Sequence, residues 1–392
     1  MMHHKRFRNI LVMILILCLS FLATGCWNRR EIEDLGFVLA AGIDSSKQGY
    51  LLTVQAANVP ALSKEGKNVP TFFTYTSTGE TLFDAIRKTT HTSPKRLFWS
   101  HTKVLIINEE AAQRGIRPYL EYFGRDVEER RDFLLAVTPH RTVDLLKTNV
   151  VTDIIPALSI NNLLEGYKAT STSIKVNLND FLRVYHGSAS ALLPIVRLVQ
   201  DQGSKQGFYV SGSAVFKKDK LAGQLSPIET RGFLWIKGEV KSGIIVTKCP
   251  NTEGKTVKEK LSFETFQADS EIKAEKNQGK FVIRVSIKES GNLAESACVK
   301  DEIDPSSLVE LEKLKKEKIE AEVKAALEKT QKDLQADVFG FGEVIHRAYP
   351  KEWKNLKEYW DRVFPTLEVH VDVKTKITGT ALIQRQKMKD KQ

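Results

Sequence analysis

Cysteine is scarce in this sequence, at four of 392 residues, and long apolar runs are scarcer still. So few cysteines exclude a small disulfide-rich scaffold. After residue 23 no apolar segment approaches the roughly 20 residues that cross a bilayer as a helix, which excludes a polytopic membrane protein. With 42% hydrophobic and 27% charged residues and no internal repeat, the composition predicts two or three folded domains.

Catalytic and metal-binding patterns are also missing. Ser100 next to His101, and Ser188 in GSASA, lack the Gly-x-Ser-x-Gly turn of a hydrolase. The stretch GFGE, residues 340–343, is too short for a phosphate-binding loop and is interpreted as the end of a helix. We therefore expect no enzyme, no metal site and no noncovalent cofactor. The histidines and carboxylates of the N-terminal region have sequence separations that fit no zinc-binding pattern. These residues are His91, His101, Asp126, Glu128, Glu129 and His140.

The chain is basic, with a formal net charge of +11 that falls to about +8 if Lys5, Arg6 and Arg8 leave with an export signal. A basic surface suits anionic lipid headgroups or nucleic acid. No nucleic-acid motif is present and export argues against that partner, so we expect none. Much of the positive charge stands in mixed-sign runs such as ELEKLKKEKIEAEVKAALEK, which is typical of a solvated helix face.

An export signal is what the N-terminus does contain. Three basic residues precede a short apolar run, and small residues then lead directly to Cys26. The stretch LATGC resembles a bacterial lipobox, although Ala23 stands where that pattern usually has Leu. The resemblance implies a diacylglyceryl group on the Cys26 thiol and cleavage that makes Cys26 the mature N-terminus. The alternative is an uncleaved signal anchor in which Cys26 has no role.

The residues directly behind Cys26 are candidates for contact with the membrane or a partner protein. Trp27 suits the headgroup level of a bilayer. Arg29 and Arg30 can pair with lipid phosphates, and Glu31 follows them. The alternative is a flexible tether whose charge pattern is incidental.

The body of the chain predicts an α+β fold, with a mixed α/β ectodomain of three domains behind the signal. Strands are predicted at 35–44, 50–57, 71–79, 96–108, 132–138, 233–236 and 244–246, with a hairpin over 207–226 that turns at Lys218–Asp219. Helices are predicted at 80–90 with Thr78 as the cap, and at 109–126, 142–148, 153–169 and 176–187. The predicted division is 1–25 signal peptide, 26–150 N-terminal domain, 151–250 middle domain and 251–392 C-terminal domain.

The sequence of the C-terminal domain predicts two strands in which polar and apolar residues alternate, then a long amphipathic helix and a closing strand. The strands are expected at 261–275, 280–290 and 366–382. Asp304 and Pro305 suit the N-cap and first position of the helix. Cys249 and Cys298 are compatible with a disulfide, which their spacing does not settle. Five aromatic residues follow at helical spacing and predict core packing, with a partner-binding surface as the alternative; they are Tyr349, Trp353, Tyr359, Trp360 and Phe364.

Two motifs at opposite ends of the chain resemble a known family. TGCWNRREIEDLGFVLAAGID begins at residue 24, and DVFGFGEVIHRAYPKEWKNLKEYWDRVFPTLEVHVDVKTKITGTAL begins at residue 337. Together they are similar to the two ends of the Ger(x)C lipoproteins, the C subunits of the nutrient germination receptors of endospore-forming bacteria. The resemblance covers essentially the whole mature chain.

The resemblance implies a non-enzymatic protein held by its lipid on the outer face of the spore inner membrane. It implies two integral-membrane partners, a larger A subunit and a transporter-like B subunit, which with this chain respond to small nutrients. Direct nutrient binding by this chain stays open. The runner-up is a solute-binding lipoprotein that delivers a ligand to a transporter, which predicts two similar lobes around one polar cleft.

Overall fold

The computed structural model describes residues 4, 7–15, 34–47, 49–62, 69–125, 130–148, 150, 154–200, 206–249, 260–296 and 305–380. It confirms the mixed α/β class. The strands are β1 Leu35–Ser46, β2 Gly49–Ala57, β3 Phe72–Gly79, β4 Arg96–Phe98, β5 Val104–Asn108, β6 Leu134–Thr138, β7 Ala191–Gln200, β8 Gln206–Lys217, β9 Lys220–Leu225, β10 Gly243–Lys248, β11 Lys260–Asn277, β12 Lys280–Ser296 and β13 Glu368–Thr380. The principal helices are α1 Leu82–Lys88, α2 Glu109–Arg114, α3 Arg117–Arg125, α4 Thr142–Lys147, α5 Pro156–Glu165, α6 Leu178–Tyr185, α7 Pro227–Lys237, α8 Pro305–Glu328, α9 Phe341–Ala348, α10 Pro350–Leu356 and α11 Trp360–Val363.

A nine-stranded sheet forms the larger unit, with the order β3-β2-β1-β5-β6-β7-β8-β9 and with β4 beside β1. Strands β1, β5, β6 and β7 are parallel, and antiparallel hairpins extend both edges. The central strands VLIIN and LLAVT are continuous apolar runs because helices cover both faces of the sheet. One face packs on α1, α2, α3 and α6, and the other on α4 and α5.

A four-stranded sheet with the order β10-β11-β12-β13 forms the smaller unit. Helices α7 and α8, and the helical turns that follow residue 341, bury one apolar cluster against it. The predicted stripe of α8 is confirmed, since Leu311, Ile319 and Val323 are buried. Asp304, the predicted N-cap of α8, lies outside the described residues. Among the described helices, none has the length and apolarity to span a bilayer.

Two charged side chains of α8 correct the expectation that its mixed-sign run is solvated. Lys315 is fully buried and its Nζ lies 2.6 Å from Glu289 Oε1 on β12. Burial raises the pKa of the Glu289 carboxyl above its ordinary value. Glu322, also buried, accepts hydrogen bonds from the Arg231 guanidinium and from the Trp235 indole N–H, 3.0 Å away. These pairs fix α8 against the sheet and against α7.

The predicted strand at 233–236 is wrong, because Phe233–Ile236 lies inside α7. Ser226 and Glu229 form a capping box, and Pro227 follows at the first helical position. The helix is packed on several sides, so its apolar run has no visible 3.6-residue period. The hairpin that turns at Lys218–Asp219 and the strand around Ile244 are confirmed.

Smaller differences from the predicted elements have local causes. The cap of α1 is Thr81, whose side chain accepts the Asp84 N–H, and Thr78 belongs to β3. The helix expected over 109–126 is divided into α2 and α3 at Gly115, whose φ of 126° is outside the helical region. The strand expected over 96–108 is likewise divided into β4 and β5.

The three predicted domain boundaries stay predictions. Strand β6 pairs with β7 at Val137 and Ile195, so the larger sheet takes strands from both the first and the second predicted domain. The stretch 251–259, where the last boundary was placed, lies outside the described residues.

The pairing of Cys249 is a testable feature of the smaller unit. Cys249 is disulfide-bonded, and the other three cysteines lie outside the described residues. Strand register places Lys248 opposite Lys260 and Leu261 opposite Ser296, two residues before Cys298 in sequence. We therefore expect a non-reducing peptide map to contain a peptide pair linked through Cys249 and Cys298. Reduction of this disulfide in the intact protein is expected to lower the free energy of unfolding by about 2–4 kcal/mol. Free thiols at both positions would contradict this pairing.

Candidate functional site

The segment 335–343 joins the two units and is the candidate functional site. The Ser190 N–H donates to the Asp337 carbonyl over 2.8 Å, and Lys217 Nζ donates to the Gln335 carbonyl over 3.1 Å. Lys237 Nζ of α7 donates to the Phe339 carbonyl over 3.3 Å. Ser190 and Lys217 of the larger unit, and Lys237 of the smaller unit, therefore hold the backbone of this segment by hydrogen bonds that do not depend on its side chains.

Asp337 organises the segment from inside. Its carboxylate accepts the N–H groups of Gly340, Phe341 and Gly342 at 2.9–3.1 Å, and the Trp360 indole N–H at 3.2 Å. Burial raises the pKa of Asp337 above its ordinary value, and these hydrogen bonds act in the opposite direction. One side chain thus caps the start of α9 and fixes α11 beside it.

The GFGE stretch marks the start of α9, which corrects its interpretation as the end of a helix. The preceding helix, α8 with its π-helical extension Lys329–Leu334, ends before the motif. Gly340 is the N-cap at a φ of 76°. A Cβ on Gly342 would lie 2.7 Å from the Trp353 ring and 3.0 Å from that of Trp360, so only glycine fits there.

The aromatic run behind the motif confirms the core interpretation for most of its members. Trp353, Trp360 and Phe364 are buried in the cluster of the smaller unit. Tyr349 is half-buried and its ring lies 5.3 Å from that of Phe281. Tyr359 is exposed and belongs to the surface.

A cleft of about 880 Å³ opens beside the joining segment, between α6 and the smaller unit. Phe181, Phe233 and Phe339 supply apolar walls. Its charged side chains are mostly engaged locally: Arg183 pairs with Asp180 at 3.0 Å, and Lys175 pairs with Glu165, just outside the lining, at 2.6 Å. The cleft has room for a small polar molecule. Because its lining carries charges of both signs, it indicates no particular class of ligand.

Ser188 contacts the carboxylate of Glu343, which lines the cleft, and that contact is structural. Its hydroxyl donates to Glu343 Oε1 over 2.7 Å, and its N–H donates to the same oxygen over 3.0 Å. His346 lies on the far side of Glu343, with Nδ1 3.8 Å from Oε2. In a catalytic triad the imidazole stands between the hydroxyl and the carboxylate. Here the order is different, so the histidine cannot take the serine proton.

Replacing Glu343 with glutamine tests the contact between the units. The Ser188 hydroxyl holds the pKa of Glu343 below its ordinary value. The carboxylate therefore stabilises the fold at any pH above the ordinary pKa, and this stabilisation is lost as the pH falls through the lowered pKa of the folded state. The side chain is 43% exposed, so solvent screens it and we expect a loss of about 0.5–1 kcal/mol at neutral pH. Urea unfolding at neutral and acidic pH measures it. Glu358→Gln, on the exposed turn after α10, is the control, and an equal loss at both pH values would contradict the assignment.

The predicted lipid site and the predicted membrane-contact residues are not tested by the structure. Cys26, Trp27, Arg29, Arg30 and Glu31 lie outside the described residues, and their roles stay predictions.

The histidines considered for a metal site belong to no group of potential metal ligands among the described residues. His101 packs against Phe37, with ring centroids 5.2 Å apart, and the carbonyl of His140 accepts a hydrogen bond from Asn108. Across the described part of the chain, no group of three potential metal ligands is found. Asp126, Glu128 and Glu129 lie outside that part.

Two family models match the sequence, one after the other along the chain. The spore germination protein N-terminal domain matches residues 28–198, and the spore germination B3/GerAC-like C-terminal model matches residues 211–381.

Curated relatives match over nearly their whole length. Spore germination protein KC of Bacillus subtilis (strain 168) is 26% identical over 400 residues, covering 96% of this chain and 97% of the relative. Spore germination protein A3 of the same organism is 28% identical over 363 residues, covering 90% and 92%. The crystal structure of the GerBC protein aligns with 89% of this chain and 100% of its own, at a TM-score of 0.55 and 24% identity, and so shows the same fold.

Proposed function

This chain belongs to the Ger(x)C, or GerAC-like, family of spore germination proteins, and we propose that it is the lipid-anchored, non-enzymatic subunit of a nutrient germinant receptor. The observation that carries the proposal is the order of features along one chain. The predicted export signal, residues 1–25, precedes Cys26, and both family domains follow, the second reaching residue 381.

The proposed anchor is a diacylglyceryl group on the Cys26 thiol, with Cys26 as the mature N-terminus. Each buried methylene contributes about 0.8 kcal/mol, so two acyl chains hold a protein durably where one does not. The folded units would then stand on the outer face of the spore inner membrane. Trp27, Arg29 and Arg30 would lie at its surface.

The proposed mechanism is scaffolding of, or signalling with, the integral-membrane A and B subunits. Confinement to the membrane plane raises the effective concentration of the chain near partners in the same plane. The joining segment favours a body that moves as one piece, because hydrogen bonds from both units hold it.

The alternative of a solute-binding lipoprotein is disfavoured by the topology. Such a protein needs two similar lobes around its cleft. Here a nine-stranded mixed sheet with helices on both faces stands beside a four-stranded sheet of different order.

Loss of the chain tests the proposed receptor role. Spores that lack it are expected to stop responding to at least one nutrient, and a copy supplied in trans is expected to restore that response. Heat resistance and spore yield serve as controls for normal spore assembly. An unchanged response to every nutrient to which the parent spores respond would contradict the proposal.

A further inference from the structure

We propose that the end of the nine-stranded sheet where β1 begins rests on an anionic phospholipid surface. This docking end consists of three exposed apolar residues, Val59, Val69 and Ile154, and of the basic residues Lys95, Arg96 and Lys103 beside the start of β1. The inference rests on the proposed lipid at Cys26.

The topology brings the apolar residues together from three separate segments. The Asn58 N–H, at the end of β2, donates to the Thr71 carbonyl over 2.8 Å. The Thr71 hydroxyl, just before β3, donates to the Ile154 carbonyl over 3.0 Å. Val59 and Val69 adjoin these hydrogen-bonded residues in sequence.

All three of these apolar side chains are exposed to solvent. Val59, Val69 and Ile154 are 41%, 49% and 68% exposed. Single exposed apolar residues are normal on a protein surface. A group of them at one end of a sheet marks a contact with lipid or protein.

The basic residues lie at the same end because their strands run beside the start of β1. Leu35 pairs with Arg96 in β4, and the Lys103 N–H donates to the Leu39 carbonyl over 2.8 Å. Lys95 directly precedes β4. Carboxylates are present at this end as well: Asp34 precedes β1, Asp132 precedes β6, and Asp180 donates its N–H to Asn177, which bridges Leu134 at the start of β6.

Aromatic side chains pack together at the start of β1, the strand that lies between β2 and β4. Phe37 and Phe98 pack edge to face with ring centroids 5.9 Å apart, and His101 packs against both rings. Apolar residues flanked by Lys and Arg match the acyl boundary and the anionic headgroups of a bilayer.

The length of the tether places this end next to the membrane. Nine residue steps separate Cys26 from Leu35, so the start of β1 cannot lie more than about 30 Å from the anchored sulfur. A bilayer is therefore always within reach of the docking end, which favours lipid over a protein as the occupant.

Fluorescence quenching in vesicles tests the contact. The lipidated full chain carrying Val69→Cys, labelled with an environment-sensitive fluorophore, is reconstituted in phosphatidylcholine vesicles with or without phosphatidylglycerol and with a lipid-borne quencher. Phe83→Cys is the matched control, because Phe83 is 50% exposed and follows the end of β3, where Gly79 pairs with Tyr50 at the opposite end of β1 and β2. We expect quenching at residue 69 in the anionic vesicles and none at residue 83.

Charge-removing variants test the basic part of the docking end. Replacing Lys95, Arg96 and Lys103 with glutamine should lower the ratio of docked to undocked protein about fivefold for each charge removed. Equal quenching at residues 69 and 83, or equal quenching with and without phosphatidylglycerol, would overturn the inference. Protection of residue 69 only when other receptor subunits are present would overturn it in favour of a protein contact.

Flotation of the same vesicles separates this inference from the proposed anchor. A chain that does not float at all refutes the lipid on Cys26, and the inference with it. A chain that floats but shows no quenching at residue 69 refutes the docking alone.

Discussion

Spores in which Cys26 is replaced by alanine are expected to contain much less membrane-bound protein and to respond to nutrient no better than spores that lack it. The thiol is the only group that can carry the proposed thioether-linked lipid at this position. Without two acyl chains, the folded body is attracted to the bilayer only by weaker contacts, such as the proposed docking end and its net positive charge, and salt screens the charge attraction. The measurement is the membrane-bound fraction in fractionated spores, together with the mass of the N-terminal peptide.

Cys18→Ala is the control for Cys26→Ala, because it removes a cysteine from the predicted signal peptide and leaves both the lipid site and the folded body intact. It should keep both the membrane-bound fraction and the lipid mass on the N-terminal peptide. An N-terminal peptide of unmodified Cys26 in the parent protein, or a membrane-bound fraction that Cys26→Ala does not reduce, would refute the anchor.

Asp337→Ala is expected to lower the free energy of unfolding by about 3–5 kcal/mol. The substitution leaves three buried backbone N–H groups and the Trp360 indole without their acceptor. It also removes the cap of α9, beside the hydrogen bond from Ser190 that joins the units. Urea unfolding of the lipidated chain in detergent, followed by tryptophan fluorescence, gives the value.

Two further variants make the Asp337 result specific. Asp337→Asn keeps one acceptor oxygen and should cost about half as much. Asp333→Ala, four residues earlier, removes only an exposed pair with Lys329 and should change stability by no more than about 0.5 kcal/mol. An unfolding midpoint of Asp337→Ala equal to that of Asp333→Ala would show that the buried hydrogen bonds contribute nothing.

Much of the fold could be predicted because its periodic patterns are local. The strands of β1 and β2 alternate or run apolar, and their turn at Gly49 has a φ of 120° that favours glycine. The long hairpin β11–β12 and the closing strand β13 follow the same two-residue period. Strand β7 was not predicted, since its sequence ALLPIVRLVQ contains a proline, a residue rare inside strands.

The candidate site could be predicted only in part, because its chemistry depends on contacts across long sequence separations. Lys315 and Glu322 look like members of a solvated run. Their spacing from Leu311 and Ile319 nevertheless places them on the buried face of α8, and this was the available signal. No local pattern reveals that Glu343 meets Ser188, 155 residues earlier in the chain.

The C-terminal family motif that begins at Asp337 has a structural explanation. DVFGFGE holds an aspartate that accepts from the three residues at 340–342, with Gly342 against two tryptophans. Its residues therefore serve packing and capping, which accounts for a family motif that contains no catalytic pattern.

The central claim, a subunit of a membrane receptor, is tested most directly by what co-purifies with this chain. A copy tagged after Gln392 would be isolated from detergent-solubilised spore membranes, and its partners identified by mass spectrometry. We expect two polytopic proteins, the A and B subunits, to be recovered with a chain whose Cys26 bears lipid. Recovery of an ABC-type permease, or of no membrane protein alongside an intact lipidated chain, would contradict the central claim.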